Sequence, residues 1–88
     1  MFHLIFDENA ISFLEKLNQK VKERIFKKLI AAKENPQHFL ERLSGRTDYK
    51  MRVGNYRIIA GIESETKTIH VTLIGNRKNV YEKKRNVS

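Results

Sequence analysis

Cysteine is absent from the 88 residues, which removes disulfides, thiolate catalysis and Cys-based zinc sites together. Long apolar runs are missing too. The longest, Ile58 to Ile62, includes Gly61 and falls far short of the roughly 20 apolar residues a spanning helix needs. No secretory signal is recognisable, because Phe2, Leu4, Ile5 and Phe6 stop at Asp7 with no basic segment before them. There is no Gly-rich phosphate loop. His3, His38 and His70 lie in different elements without metal-ligand spacing, and neither Ser44 nor Ser64 has a histidine beside it in sequence. These absences lead to the expectation of a cytoplasmic protein with no membrane, metal or cofactor requirement.

Acidic residues are scarce relative to basic ones. Eighteen Lys/Arg against ten Asp/Glu give a net charge of +8, which points to polyanionic partners. Residues 1–41 hold seven basic and six acidic residues (net +1), and residues 42–88 hold eleven and four (net +7). The excess belongs to the second half.

Phe2, Leu4 and Phe6 alternate with His3, Ile5 and Asp7 as a short strand does, and Asp7 or Asn9 can cap the helix after it. Ile11, Leu14, Leu17, Val21, Ile25, Leu29 and Ala32 then recur in steps of three or four, forming one apolar stripe. A break at Asn18-Gln19 divides that stripe into two helices, although one long helix fits the same spacing. Asn35-Pro36 ends the helical stretch. Residues 37–46 read as a connector, after which the period changes to two. Tyr49, Met51 and Val53 precede Gly54-Asn55, then Tyr56, Ile58, Ala60 and Ile62 alternate, and Ile69, Val71 and Leu73 form a last run. The reading is one α+β domain over residues 1–88 in the order β-α-α-β-β-β. A two-helix hairpin packs on one face of a mostly antiparallel four-stranded sheet.

Gly54-Asn55 between alternating runs is a two-residue hairpin signal, with glycine supplying positive φ. It fixes a register: Val53 opposite Tyr56, Arg52 opposite Arg57, Met51 opposite Ile58 and Lys50 opposite Ile59. Tyr49, Met51, Val53, Tyr56, Ile58 and Ala60 then share the core face, and Lys50, Arg52 and Arg57 share the other. Two unit charges ~5.5 Å apart repel by roughly 1 to 3 kcal/mol for effective dielectrics of about 80 down to 20. No acidic residue is predicted on that hairpin face to relieve the Arg52–Arg57 pair. A bound phosphate would, because the planar fork of arginine matches its oxygens.

The segment Tyr49-Lys50-Met51-Arg52-Val53-Gly54-Asn55-Tyr56-Arg57-Ile58-Ile59 resembles the central hairpin of the RelE/ParE toxin superfamily. Leu43-Ser44-Gly45 resembles the family's entry to that hairpin, and Leu73-Ile74-Gly75-Asn76-Arg77 with Val80-Tyr81 resembles its closing motif. The resemblance implies a RelE-type mRNA interferase, a metal-independent endoribonuclease working in the ribosomal 30S A site and held inactive by a RelB-like antitoxin. It implies catalytic roles for Lys50, Arg52, Arg57, Arg77 and Tyr81, and RNA-binding roles for Arg46, Lys50, Arg52, Arg57 and Lys78. Two departures stand out. Arg52 occupies a position that is often lysine in the family, and the Arg77-to-Tyr81 spacing is shorter than in its best-known members. Regular alternation through Leu73 would put Arg77 on the core side, so Gly75-Asn76 is taken as the break that re-aims it. The alternatives are a non-enzymatic ParE-like toxin acting through protein contacts and a catalytically silent basic RNA-binding module.

Overall fold

The computed structural model describes residues 1–43, 45 and 47–76; Ser44, Arg46 and residues 77–88 lie outside the described residues. The elements run β1 (His3–Phe6), α1 (Glu8–Glu15), α2 (Gln19–Glu34), α3 (Pro36–Phe39), β2 (Glu41–Arg42), β3 (Tyr49–Val53), β4 (Tyr56–Glu63) and β5 (Thr68–Asn76).

The helix break falls where the side chains dictate it. Asn18 has extended backbone (φ −71°, ψ 163°), and its side chain accepts a hydrogen bond from the Val21 N–H at 3.0 Å, capping α2. Asn18→Ala is expected to cost about 1 kcal/mol, read as a lower urea midpoint at unchanged m-value. Asp7 occupies the equivalent position before α1 but makes no cap; its Oδ1 instead lies 2.6 Å from Nε2 of His70 on β5. Asn35 leaves the helical region (φ −148°, ψ 75°), and Pro36 opens the one-turn α3, where its missing N–H costs nothing.

The sheet has five strands, ordered β1-β5-β4-β3-β2, with β1–β5 parallel and all other pairs antiparallel. The sequence reading of four strands and a plain connector is corrected here, since residues 37–46 contribute most of α3 and all of β2. β2 is only two residues long and pairs Glu41 with Lys50 and Arg42 with Tyr49, too short for any periodicity to announce it.

The helices pack on one face of the sheet. Ile25 and Leu29 of α2 are fully buried together with Ile58, Ile69 and Val71. Ile11, counted in the sequence stripe, is exposed, and Ala10 is buried in its place. The stripe also shifts on β5: Leu73 is not in the core and Ile74 is. The cause is a register shift. Ala60 pairs with Val71 but Ile59 pairs with Leu73, so Thr72 is an extra residue in β5, with its hydroxyl donating to the Ile59 carbonyl at 3.2 Å. An extra residue inverts the alternation beyond it. Odd-numbered residues face the core before Thr72, and even-numbered ones do so after it. The break is therefore at Thr72 and not at Gly75-Asn76 as the sequence reading had it. Leu73 and Gly75 consequently join the face away from the helices.

Candidate functional site

The hairpin forms with the register its turn requires. Arg52 pairs with Arg57, Met51 with Ile58 and Lys50 with Ile59. Gly54 has φ +59° and Asn55 is not among the positive-φ residues, the pattern of a type II′ turn. The terminal Nη2 of Arg24 lies 3.2 Å from where a Gly54 Cβ would sit, so the side chain of Arg24 on α2 reaches the exposed turn.

Residues paired across a ladder point the same way. On the face away from the helices this produces two neighbouring rows: Glu41, Lys50, Ile59 and Leu73, and beside it Arg52, Arg57 and Gly75. The sequence reading placed Lys50, Arg52 and Arg57 together on this face, and the structure brings them together. It differs in depth. Arg52 is exposed and Lys50 half-buried, but Arg57 is only 6% exposed. Arg57 stands on the central strand β4, and its neighbour in the row, Gly75, projects no side chain beside it. The guanidinium is engaged with the surrounding chain, although its Nε is buried and meets no acceptor.

These side chains line a cleft of about 450 Å³. It lies where β2 stops and the edge of β3 continues alone. Lys28 of α2 reaches that edge and donates from Nζ to the Arg52 carbonyl at 2.9 Å, which satisfies an edge acceptor and sets a fourth cation beside the other three. Phe39 and Glu41 line it as well. Lys28, Phe39 and Glu41 were missed in sequence. Lys28 sits on the polar side of an amphipathic helix among other lysines, and nothing local marks it. Glu41 also corrects the expectation of a face free of acidic residues, because β2 carries it directly across from Lys50. Arg46, Arg77, Lys78 and Tyr81 lie outside the described residues. Among the described residues there is no group of three or more His, Asp or Glu that could hold a metal ion, and no helix long and apolar enough to cross a membrane.

The cleft gathers Lys28, Lys50, Arg52 and Arg57 on an α+β fold, an arrangement whose charge favours an anionic ligand. Comparison with known proteins identifies the family. Residues 4–81 match the ParE toxin of type II toxin–antitoxin systems, and the chain belongs to that family, within the RelE/ParE toxin superfamily. It is 31% identical over 80 residues to the mRNA interferase toxin RelE of Escherichia coli K12, an alignment covering 88% of this chain and 84% of that protein. The isolated E. coli RelE toxin superposes with a TM-score of 0.76 at 28% identity, covering 98% of this chain and 97% of the other. The toxin of the intact E. coli RelBE complex gives 0.74 at 30%, covering 86% and 96%. An archaeal RelE–RelB complex from Pyrococcus horikoshii, with a TM-score of 0.75 at 19% identity, shares the fold, covering 86% of this chain and 94% of that one.

Proposed function

We propose that residues 1–88 form a single RelE-like toxin domain, the toxin of a type II toxin–antitoxin pair acting in the cytoplasm as a ribosome-dependent endoribonuclease. Its substrate is mRNA in the 30S A site, and its partner is a RelB-like antitoxin. The relatives named RelE are mRNA interferases, and the E. coli RelE structures include a toxin–antitoxin complex. The observation that carries the reading is the cleft, in which Lys28, Lys50, Arg52 and Arg57 converge beside an open sheet face.

The reaction needs a base for the attacking hydroxyl, an acid for the leaving oxygen and positive charge on the phosphorane. The 2′-hydroxyl of one nucleotide attacks the adjacent phosphorus in line, its proton passes to a base, and the 5′-oxygen of the next nucleotide leaves with a proton from the acid, a role open to Arg77 or a group of the ribosome. A 2′,3′-cyclic phosphate and a 5′-hydroxyl remain. Charge building on the phosphorane is matched by Arg52 and Arg57, with Arg77 in the same role, since fixed donors aimed at developing charge are the largest common contribution to catalysis. Lys50 serves as the base candidate and Tyr81 as a stacking or proton-transfer group. The ribosome supplies the alignment that a shallow cleft cannot.

The helices offer the antitoxin a seat. Ile11 on α1, together with Phe26 and Ile30 one turn apart on α2, is exposed, a surface suited to an amphipathic segment. An acidic stretch of the same partner would neutralise the basic cleft.

Translation in vitro, with message ends mapped, tests the reading. The protein is expected to cut ribosome-bound mRNA and leave free RNA largely intact. Because the matching family is described by its ParE member, the competing outcome is intact message alongside blocked DNA supercoiling, which would mark a toxin acting through protein contacts.

A further inference from the structure

Just past its bulge, β5 carries apolar residues in both phases of a strand. Leu73 and Ile74 stand side by side, followed by Gly75. In the observed register Ile74 pairs with Ile58 and is 2% exposed, Leu73 is half-buried on the open face, and Gly75 pairs with Arg57. Were β5 to run on from Val71 without an extra residue, Thr72 would stand opposite Ile59, Leu73 opposite Ile58 and Ile74 opposite Arg57. A one-residue slip turns every side chain to the other face. Here it exchanges Ile74 for Leu73 beneath the helices, so the two registers bury similar apolar area. Arg57 does not fare the same in both. The bulged register leaves its flank bare at Gly75, and the regular one fills that flank with the branched side chain of Ile74.

The neighbouring strands do little to choose between the two. β1 pairs with Thr68 to Val71 and stops there, where the Asp7 N–H donates to the Val71 carbonyl at 2.9 Å. Beyond Val71, β4 is the only strand paired with β5 among the described residues. The first half of β5 is therefore pinned on both sides and the second half on one. What the bulged register adds is a side-chain bond: the Thr72 hydroxyl donates to the Ile59 carbonyl at 3.2 Å. In the regular register Thr72 would point straight off the sheet, away from the backbone carbonyls.

We infer that Thr72 is a positioning residue for Arg57: its hydroxyl holds β5 in the register that keeps Gly75, and not Ile74, beside the guanidinium. Bulges next to active sites re-aim side chains in this way. The inference rests on the RNA-cleaving reading, in which Arg57 is a donor to phosphate. It adds a residue outside the cleft lining on which that donor depends.

NMR on isotope-labelled full chain reads the register directly, since cross-strand NOEs link Arg57 to Gly75 in one register and to Ile74 in the other. Thr72→Val removes the hydroxyl and keeps the branched shape. One ordinary hydrogen bond corresponds to roughly 2- to 13-fold in an equilibrium. The variant should move the ratio of registers by that factor toward the Arg57–Ile74 pairing, and message cleavage should fall with the population of the Arg57–Gly75 pairing. Thr72→Ser keeps the hydroxyl and should match the wild type in both readouts. Adding Leu73→Asn to Thr72→Val should restore pairing and cleavage, because the regular register would bury the polar side chain. A variant that was merely badly packed would not be rescued by a second, polar substitution. Thr72→Val with the Arg57–Gly75 pairing alone and wild-type cleavage would overturn the inference, as would full cleavage by a chain with Arg57 beside Ile74. A register that shifts in Thr72→Val, in a protein whose wild type leaves ribosome-bound message intact, would uphold the hold of Thr72 on Arg57 and bring down the nuclease reading alone.

Discussion

Arg57→Ala is expected to lower message cleavage by roughly 10²–10³-fold, the usual effect of removing one donor aimed at developing oxyanion charge. The expectation follows from where Arg57 sits. It occupies the central strand, is 6% exposed, and stands opposite Arg52 with no side chain beside it at Gly75. A charge held this far from solvent is less screened than the exposed Arg52, so it interacts more strongly with a bound phosphate. Arg57→Lys should recover only part of the loss. The ammonium keeps the charge but lacks the planar pair of donors that grips two phosphate oxygens. Removing a buried side chain also leaves space, so cleavage rates are to be compared after a thermal melt confirms that each variant is folded at the assay temperature. Wild-type cleavage by folded Arg57→Ala would remove this residue from the mechanism.

Ile58→Ala is expected to destabilise the free toxin by about 2–5 kcal/mol, and Ile58→Val by about 0.5–1.5 kcal/mol. Ile58 is fully buried between Met51 and Ile74, the core partners on either side of β4. For a domain of 88 residues, total stability at about 0.05–0.15 kcal/mol per residue comes to roughly 4–13 kcal/mol. The alanine variant therefore loses a large share of it. Urea unfolding read by circular dichroism would measure the loss as a shift of midpoint at constant slope. A shift below about 1 kcal/mol would mean that the space closes on substitution and that the centre of the sheet is more plastic than its burial indicates.

The two predictions use neighbouring residues of one strand for opposite purposes. Ile58 points into the layer between helices and sheet, and Arg57 points away from it. A one-residue slip of β4 would exchange them, burying the guanidinium under the helices and exposing the isoleucine. The register is thus itself part of the active arrangement. Gly54 guards it, because its φ of +59° is strained for any residue with a side chain.

The sequence alone determined the features that arise within a few residues of one another. The two-residue turn at Gly54-Asn55 set the pairing of Arg52 with Arg57 and the common face of Lys50, Arg52 and Arg57. Asn18 and Asn35-Pro36 marked the ends of α2 because capping and the proline ring act locally. Only the tertiary structure decided the rest. Whether Ile11 or Ala10 is buried on α1 depends on the angle at which that helix meets the sheet. The extra residue at Thr72 is seen only in how β5 pairs with β4, and no local pattern in Thr72-Leu73-Ile74 signals it. β2 pairs only through β3, so Glu41 acquires its place opposite Lys50 from a distant partner, and Lys28 reaches the cleft from a helix 24 residues earlier than Arg52. Turn chemistry and side-chain period are short-range properties and are written in the chain. Burial depth, bulges and the meeting of charges from separate elements are set by which surfaces close on one another, and that is settled only when the whole sheet forms.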